Sequence, residues 1–244
     1  MEYLNHKITE AVCAFRFNPI KNNWDLTSFA EYYNVVKDYG FSKKSEIKPI
    51  QLSFQINPNN IPQSPQMIEA ETRMVFKNED QTSAILLGNN YISFHTINYY
   101  PGWNVFLESI ISKFLNKYFD IGYGKDLISA QMIYINNFEI EKNFKLSDYL
   151  TFVPNMENFG KGDELSHLFQ SSYDIAPNKR LQLKTILNVI NPEKIKKVIL
   201  ECNCIANNTN NNDISWIDLA NDAHDNAKNA FLNISTNHFK EIIK

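Results

Sequence analysis

Glycine is scarce in this chain of 244 residues, which contains only seven. The sequence has no glycine-rich turn between a predicted strand and a predicted helix, and no Gly-Lys-Ser or Gly-Lys-Thr of a phosphate-binding loop. A nucleophile elbow around a serine and a His-Glu-x-x-His motif are also missing. These absences argue against nucleotide hydrolysis, dinucleotide binding and α/β-hydrolase chemistry.

Long apolar runs and a surplus of positive charge are missing too. No stretch of about 18 apolar residues occurs, so the sequence predicts no transmembrane helix. The first residues lack the charged and apolar regions of a signal peptide. The formal net charge of −3, with a pI near 6.0, argues against a general nucleic-acid-binding protein. Three cysteines, an odd number, are typical of free thiols in a reducing compartment. We therefore expect a cytoplasmic protein.

Arginine is almost absent, being found only at Arg16, Arg73 and Arg180. We interpret this scarcity, together with many asparagines and lysines, as a compositional bias without functional meaning. Hydrophobic residues make up 43% of the chain and aromatic residues 13%, which is ample for a core.

The first half of the chain predicts a strand, a helix, several strands and a long helix. ITEAVCAFRF has the alternation of a strand, whereas WDLTSFAEYYNVVKDYG places Leu26, Phe29, Tyr33 and Val36 at helical spacing before Gly40. Further strands are predicted in IQLSFQIN, ETRMVFKN, TSAILL and YISFHTI, with the proline-rich PNNIPQSPQ as a surface loop. The apolar stripe of GWNVFLESIISKFLNKYFD predicts the long helix.

The second half repeats this order. LISAQMIYINNFEI predicts a strand, LSDYL a short helix, and HLFQSSYDI, RLQLKTILNVI and KKVILECNCIA three more strands. SWIDLANDAHDNAKNAFLNIST predicts the last long helix, with Ser215 and Asp218 in the spacing of a capping box.

Consecutive strands joined by short turns pair antiparallel. We therefore predict an α+β protein, in which an antiparallel sheet is built from two similar β-α-β-β-β-α halves with long amphipathic helices packed on it. The whole chain, 1–244, is expected to form a single compact domain, with pseudo-repeated halves at 1–125 and 126–244.

Cys202 and Cys204 are candidates for a metal site. They lie two positions apart on a predicted strand, so both side chains point to the same face. A zinc site needs further ligands at suitable spacing, and no second pair of cysteines or histidines is present. We predict that both are small core residues, and we expect neither a metal nor a cofactor.

His224 lies on the apolar face of the last predicted helix, in line with Ile217, Ala220, Ala227 and Phe231. A lone histidine there is more often a hydrogen-bonded core or boundary residue than a catalytic group, which needs an acid or a nucleophile within reach. Asp222 and Asp225 are too close in sequence to share its face of the helix. We therefore favour a structural role for His224 over a catalytic one.

Six basic residues cluster around one predicted hairpin: Lys179, Arg180, Lys184, Lys194, Lys196 and Lys197. Such a cluster can contact nucleic-acid phosphates or an acidic partner. Lysines also discourage aggregation at an exposed sheet edge. We favour the solvated edge, in keeping with the net negative charge.

The segment NYYPGW brings Tyr99, Tyr100 and Trp103 together at the start of a predicted helix. These rings could stack on a ligand. Trp103 also continues the apolar stripe of the following helix, and so predicts an anchor that is mostly buried against the sheet. We favour packing, and we keep Tyr99, Tyr100, Trp103 and His224 as candidate contacts for a ligand or partner.

Four segments resemble a sporadically distributed, functionally uncharacterised family of bacterial and archaeal proteins of about this length. They are EAVCAFRF, YISFHTINYYPGWNVF, YINNFEI with the following LSDYL, and AHDNAKNAFLNIST. YPGW before a helix and YIN at a strand end are the most specific parts. The family often has Gly-Leu-Arg where this chain has Gln131–Ile133, so no role of that arginine carries over. The resemblance implies a compact intracellular protein from a patchily inherited gene, as is common for phage-defence and toxin–antitoxin genes.

The favoured hypothesis is a non-enzymatic binding or partner protein, with a cleft between its halves that takes a small ligand or a partner segment. The expected partner is another protein, within a phage-defence or toxin–antitoxin-type module, and no membrane is expected. One alternative is a nuclease-like or phosphotransfer enzyme that uses His224 and nearby carboxylates. Another is a nucleic-acid-binding accessory protein that uses the Lys179–Lys197 hairpin.

Overall fold

A computed structural model describes residues 7–19, 25–47, 50–53, 66–69, 72–141, 144–153, 166–190, 195–209 and 214–244. The strands are β1 (Ile8–Phe17), β2 (Lys43–Ile47), β3 (Ile50–Ser53), β4 (Gln66–Glu69), β5 (Arg73–Lys77), β6 (Ser83–Gly88), β7 (Tyr91–Ile97), β8 (Leu127–Ile140), β9 (Ser166–Ala176), β10 (Lys179–Ile190) and β11 (Ile195–Asn207). The helices are α1 (Leu26–Val36), α2 (Trp103–Phe106), α3 (Lys113–Asp120), α4 (Leu146–Tyr149), α5 (Trp216–Ile234) and α6 (Asn237–Ile242). A 3₁₀ turn, Lys37–Tyr39, follows α1, and a π-helical segment, Leu107–Ser112, joins α2 to α3.

Nine strands form one sheet in the order β2-β5-β6-β7-β1-β8-β11-β10-β9, and β3 pairs with β4 in a separate two-stranded sheet. Every pairing is antiparallel. The predicted α+β class with an antiparallel sheet is therefore confirmed. The centre of the sheet is the pair β1–β8. Moving outward, β1 is followed by β7, β6, β5 and the edge strand β2, and β8 is followed by β11, β10 and the edge strand β9.

The register of β1 against β8 sets large side chains beside small ones. Ala11 lies opposite Tyr134, and Phe15 lies opposite Ala130. All four are buried on the same face of the sheet. The ring of Phe15 is 5.9 Å from that of Trp216 at the start of α5. We call this surface the helix face, and the opposite surface the back face.

Helix α1 contacts the core through a stripe that differs from the predicted one. Phe29, Tyr32 and Val36 are buried, whereas Leu26 is 77% exposed. The Tyr32 hydroxyl donates to the carbonyl of Phe114 in α3 at 3.0 Å, so the buried tyrosine has its polar atom satisfied. The prediction was wrong for Leu26, and Tyr32 was missed. Tyr33 is half-buried, and its ring stacks on that of the core residue Phe76 at 5.7 Å.

Both long helical runs begin at a tryptophan. Gly102, with a φ of 90°, turns the chain after Pro101 so that α2 begins at Trp103. Helix α5 begins at Trp216 after Ser215, whose hydroxyl accepts from the backbone N–H of Asp218 at 3.1 Å. The predicted capping position is thus confirmed.

Two elements of the structure were not predicted, and parts of two predicted segments lie outside the described residues. Strand β2 is exposed along its whole length, and its polar sequence KKSEI gave no apolar alternation to identify. Helix α6 was also missed. Most of the predicted loop PNNIPQSPQ, like the end of IQLSFQIN, lies outside the described residues. Within the described ranges, no helix has both the length and the apolar character needed to cross a membrane.

Candidate functional site

A cavity of about 560 Å³ lies beside the start of α2, between strand β8 and helix α5. Its lining comes from both halves of the chain. The first half contributes Tyr100 and Trp103, and the second half contributes Tyr134, Asn136 and His224. The volume falls within the range of small-molecule sites.

Three side chains on the cavity wall form a continuous hydrogen-bonded relay. The hydroxyl oxygens of Tyr100 and Tyr134 are 2.8 Å apart, and the Tyr134 oxygen is 2.6 Å from Nδ1 of His224. Burial raises the pKa of both tyrosines, so both hydroxyls stay protonated at neutral pH. The hydrogen bond from strand β8 to helix α5 therefore connects two residues, Tyr134 and His224, that are 90 positions apart in sequence.

Burial lowers the pKa of His224 to about 4, so the imidazole is neutral at physiological pH. Its Nε2 is 3.8 Å from Oδ1 of Asp225. This carboxylate favours the tautomer with the proton on Nε2, which leaves Nδ1 to accept from Tyr134. Asp225 does not share the face of His224, since its side chain is 69% exposed and that of His224 only 9%, yet its carboxylate still approaches the imidazole from the adjacent position.

Trp103 lies flat on His224, with ring centroids 4.4 Å apart and an interplanar angle of 8°. Its indole N–H donates to Oδ1 of Asn221 at 2.7 Å. Trp103 also contacts Phe106 edge-on at 6.3 Å. The tryptophan is half-buried and lines the cavity. The predicted anchor against the sheet is therefore only partly right, because the ring packs chiefly on a helix of the other half.

Asn136 provides an unsatisfied polar atom on the cavity wall. The side chain is 1% exposed, and its amide nitrogen makes a long contact of 3.5 Å with the carbonyl of Leu200. Among the residues that the structure describes, its Oδ1 has no hydrogen-bond partner. A buried acceptor without a donor is destabilising. Asn136 therefore brings to the cavity lining a buried acceptor that has no donor among the described residues.

The sequence-predicted contacts fall into two sets. Tyr100, Trp103 and His224 are brought together at the cavity. Tyr99 is 67% exposed and lies outside the lining. Sequence reasoning did not single out Tyr134, Asn136 or Asn221. Tyr134 and Asn136 belong to the YIN motif. They are two positions apart on strand β8, so both side chains point to the same face, the one toward α5.

The basic residues of the hairpin do not form one cluster. Arg180 pairs with Ile205, and Lys197 pairs with Asn188, so these groups lie at opposite ends of β10 and β11. Eight positions at the rise of a strand separate them by roughly 26 Å. The prediction of one cluster was wrong. Lys196 and Lys197 lie near the turn between β10 and β11, whereas Lys179 and Arg180 lie at the opposite end of the hairpin. Lys194 lies outside the described residues.

Carboxylates neutralise three of these basic side chains. Lys179 contacts Asp222 at 2.7 Å, Arg180 contacts Asp174 at 2.9 Å, and Lys197 contacts Glu139 at 3.5 Å. A surface built to bind nucleic acid would leave such cations free for phosphates. The pairing therefore argues against a nucleic-acid site. The predicted sheet edge was wrong, because β11 lies between β8 and β10, and β10 lies between β11 and β9.

The three cysteines are buried and free. Burial raises the pKa of Cys13 and Cys202, and raises that of Cys204 to about 11. Their thiols are therefore poor nucleophiles and poor metal ligands. Within the described ranges, no group of three or more His, Cys, Asp or Glu side chains is arranged to hold a metal ion.

Ser93, His95 and Glu10 form a second relay on the back face. The Ser93 hydroxyl is 2.9 Å from Nε2 of His95, and Nδ1 of His95 is 2.9 Å from a carboxylate oxygen of Glu10. The order resembles a nucleophilic triad. However, Ser93 is fully buried, and strand β7 is paired on both edges, which commits its amides to the sheet rather than to an oxyanion hole. We therefore assign these hydrogen bonds a structural role, in which His95 connects strand β7 to Glu10 of strand β1.

A comparison with models of known protein families gives no match, and a comparison with curated proteins gives none either. A functional assignment therefore depends on the geometry of the cavity.

Proposed function

We propose that this chain is a binding protein, and that the cavity between β8 and α5 is its site for a small ligand. The single observation that carries the proposal is the buried, unsatisfied Oδ1 of Asn136, a residue that lines a cavity large enough for such a ligand. A protein that had no use for this acceptor would be more stable with an apolar side chain there.

The cavity chemistry indicates the class of ligand. Asn136 needs a donor, while the wall around it is aromatic through Tyr100, Trp103 and Tyr134. Phe231, Leu232 and Ile243 extend the apolar part of the lining. A small planar molecule that carries an N–H or O–H group satisfies both requirements. The ligand would contact this aromatic and aliphatic surface and donate to Asn136, while Asp225 and Lys228 place charges on the same lining.

Catalysis is supported less well than binding. The low pKa of His224, about 4, makes it a weak base and leaves no proton to donate from an imidazolium at neutral pH. Its Nδ1 is already occupied by Tyr134. Asp222, the other carboxylate considered for an enzyme, is paired with Lys179. The nuclease-like and phosphotransfer alternatives therefore depend on Asp225, an exposed carboxylate on the cavity lining.

Membership of the sporadically distributed family, and with it a place in a defence module, is part of the same proposal. Its support is spatial. The YPGW motif supplies Tyr100 and Trp103, the YIN motif supplies Tyr134 and Asn136, and the carboxy-terminal segment supplies His224. Three of the four segments that carry the resemblance meet at one cavity. A cytoplasmic location and a protein partner that senses the bound state belong to this proposal as well.

We also propose that the two halves, 1–125 and 126–244, derive from a duplication, with both long helices packed on the sheet. The matching strand order on the two sides of β1–β8 supports this origin. So do the two helices that begin at Trp103 and Trp216. A cavity at the meeting of two such halves would have one wall from each.

The test is a nuclear magnetic resonance screen of planar fragments with and without N–H or O–H donors. The indole N–H signal of Trp103 reports on the cavity, and that of Trp216 serves as an internal control. We expect donor-bearing fragments to shift the Trp103 signal, and to lose this effect in Asn136→Leu. Fragments that shift both indole signals equally, or that bind Asn136→Leu as well as the parent, would overturn the proposal.

A further inference from the structure

Two of the three arginines converge on one tyrosine ring on the back face of the sheet. Arg16 of β1 lies directly opposite Tyr91 of β7, and Tyr91 lies opposite Gly88 of β6. The guanidinium carbon of Arg16 is 5.6 Å from the centroid of the Tyr91 ring, and that of Arg73 is 4.4 Å from it. The two cations therefore approach the same ring from strands on either side of it.

The Arg73 side chain reaches Tyr91 by passing over Gly88. Arg73 belongs to β5, two strands away from Tyr91, so its side chain must cross the strand between them. A Cβ at Gly88 would stand 3.4 Å from Cγ of Arg73, which shows that the arginine lies across the glycine. The Cδ and Nε atoms of Arg73 would lie 3.8 and 3.7 Å from the same Cβ, so the arginine side chain passes over Gly88 at ordinary van der Waals distance. Tyr91 is 9% exposed and so provides a fixed platform.

The charges of Arg16 and Arg73 are not neutralised by carboxylates of the described residues, since none lies within 4.0 Å of either guanidinium. The remaining arginine behaves differently. Arg180 faces the same side of the sheet and is paired with Asp174 at 2.9 Å. In a chain with 27 acidic residues, two guanidinium groups lie against one ring with no carboxylate of the described residues paired to either, and so form a local excess of positive charge.

We propose that Arg16 and Arg73 bind a phosphate group of a small molecule above Tyr91. Two planar guanidinium groups offer paired N–H donors that match phosphate oxygens, which a lysine ammonium does not. The use of arginine here is specific, because arginines make up only three of the 24 basic residues. Arg16 is exposed, so the site is open to solvent. The tyrosine ring holds both groups in place before the anion arrives.

Titration calorimetry with inorganic pyrophosphate tests the proposal, with acetate as an anion of different geometry. We expect pyrophosphate to bind the parent protein and acetate to bind at least tenfold more weakly. Arg16→Ala and Arg73→Ala should each weaken pyrophosphate binding roughly tenfold or more, because each removes charged hydrogen bonds. Arg180→Ala is the matched control and should bind as the parent does.

Lysine variants provide a second test, which does not depend on whether the alanine variants fold. Arg16→Lys and Arg73→Lys preserve the charge and should still weaken binding several-fold, since the bidentate geometry is lost. A melting temperature for each variant identifies any that is unfolded. No binding of pyrophosphate, equal binding of acetate, or an equal loss in Arg180→Ala would each overturn the proposal. The cavity variant Asn136→Leu should leave pyrophosphate binding unchanged, which separates this site from the cavity.

Discussion

The indole of Trp103 and the imidazole of His224 lie parallel, 4.4 Å apart, and so join the first helix residue of one half to the middle of the last long helix of the other. The same imidazole accepts from Tyr134 on the central strand β8. One stack and one hydrogen bond thus connect two helices and the sheet around the cavity. Changes at Trp103 and His224 should be non-additive, because the two side chains share a contact.

Trp103→Ala should lower the free energy of unfolding by about 2 kcal/mol, less than the ~3–5 kcal/mol typical of a fully buried tryptophan. In a chain of this size that corresponds to a fall in melting temperature of about 4–8 °C. Trp103→Phe keeps a ring on His224 but loses the bond to Asn221, and should lose only about 1 kcal/mol. Thermal unfolding measures both. An unchanged melting temperature for Trp103→Ala would show that the stack contributes nothing.

His224 should make the protein less stable in acid. Burial lowers its pKa from 6.5 to about 4 in the folded state. Between these values the unfolded chain takes up a proton that the native state excludes, so stability falls as the pH drops from about 6.5 to 4. Since one pKa unit corresponds to about 1.4 kcal/mol, the loss is on the order of 2–3 kcal/mol.

The measurement is urea unfolding of the parent and of His224→Asn between pH 7 and 4. Asparagine keeps an acceptor for Tyr134 but does not titrate in this range. The variant should lose less stability than the parent over the interval, by the amount assigned to His224. Parallel curves for the two proteins would contradict the assignment, because the other histidines are common to both.

Asn136→Leu should leave the ligand-free protein at least as stable as the parent. The change removes a buried acceptor that has no donor among the described residues, and unsatisfied groups of this kind cost about 1–3 kcal/mol. Asn136→Asp is the contrasting variant, because it places a charge at a position that is 1% exposed, and should destabilise by several kcal/mol. Urea midpoints provide the comparison. A large loss of stability in Asn136→Leu would mean that the amide is satisfied in the folded protein.

The cysteines should resist thiol reagents in the native protein. Cys13, Cys202 and Cys204 are fully buried, and their raised pKa values keep them protonated at pH 8. We expect negligible colour with an aromatic disulfide reagent under native conditions, and reaction of all three thiols after denaturation. Fast labelling of one thiol in the native protein would show that the strand carrying it opens readily.

Strand β8 was predicted with the observed bounds, Leu127–Ile140, because its alternation is long and clear. The cavity could be predicted only in part. NYYPGW and His224 were noticed as local patterns, but their meeting depends on the pairing of β8 with β11 and on the path of α5, which no local pattern encodes. The relay between Tyr134 and His224, separated by 90 residues, is a product of tertiary contact alone.

Charge patterns were the weakest guide. The scarce arginines had been interpreted as compositional bias, yet Arg16 and Arg73 meet at Tyr91 although they lie in strands separated by β6 and β7. The dense basic run around Lys194 to Lys197 suggested a cluster, yet Lys197 is neutralised by Glu139 of β8. Sequence proximity identifies groups of like charge, whereas strand register decides which charges share a surface.

The pairing of β1 with β8 has a consequence for biosynthesis. Strand β1 is complete at Phe17 and its partner β7 at Ile97, but β8 is complete only when Ile140 has been added. If the first half folds on the ribosome, one edge of β1 therefore stays unpaired until β8 has been synthesised. Such an edge pairs readily with a strand of another molecule. Two neighbouring chains on one messenger could exchange their second halves, giving an intertwined dimer that contains the same nine-stranded order twice.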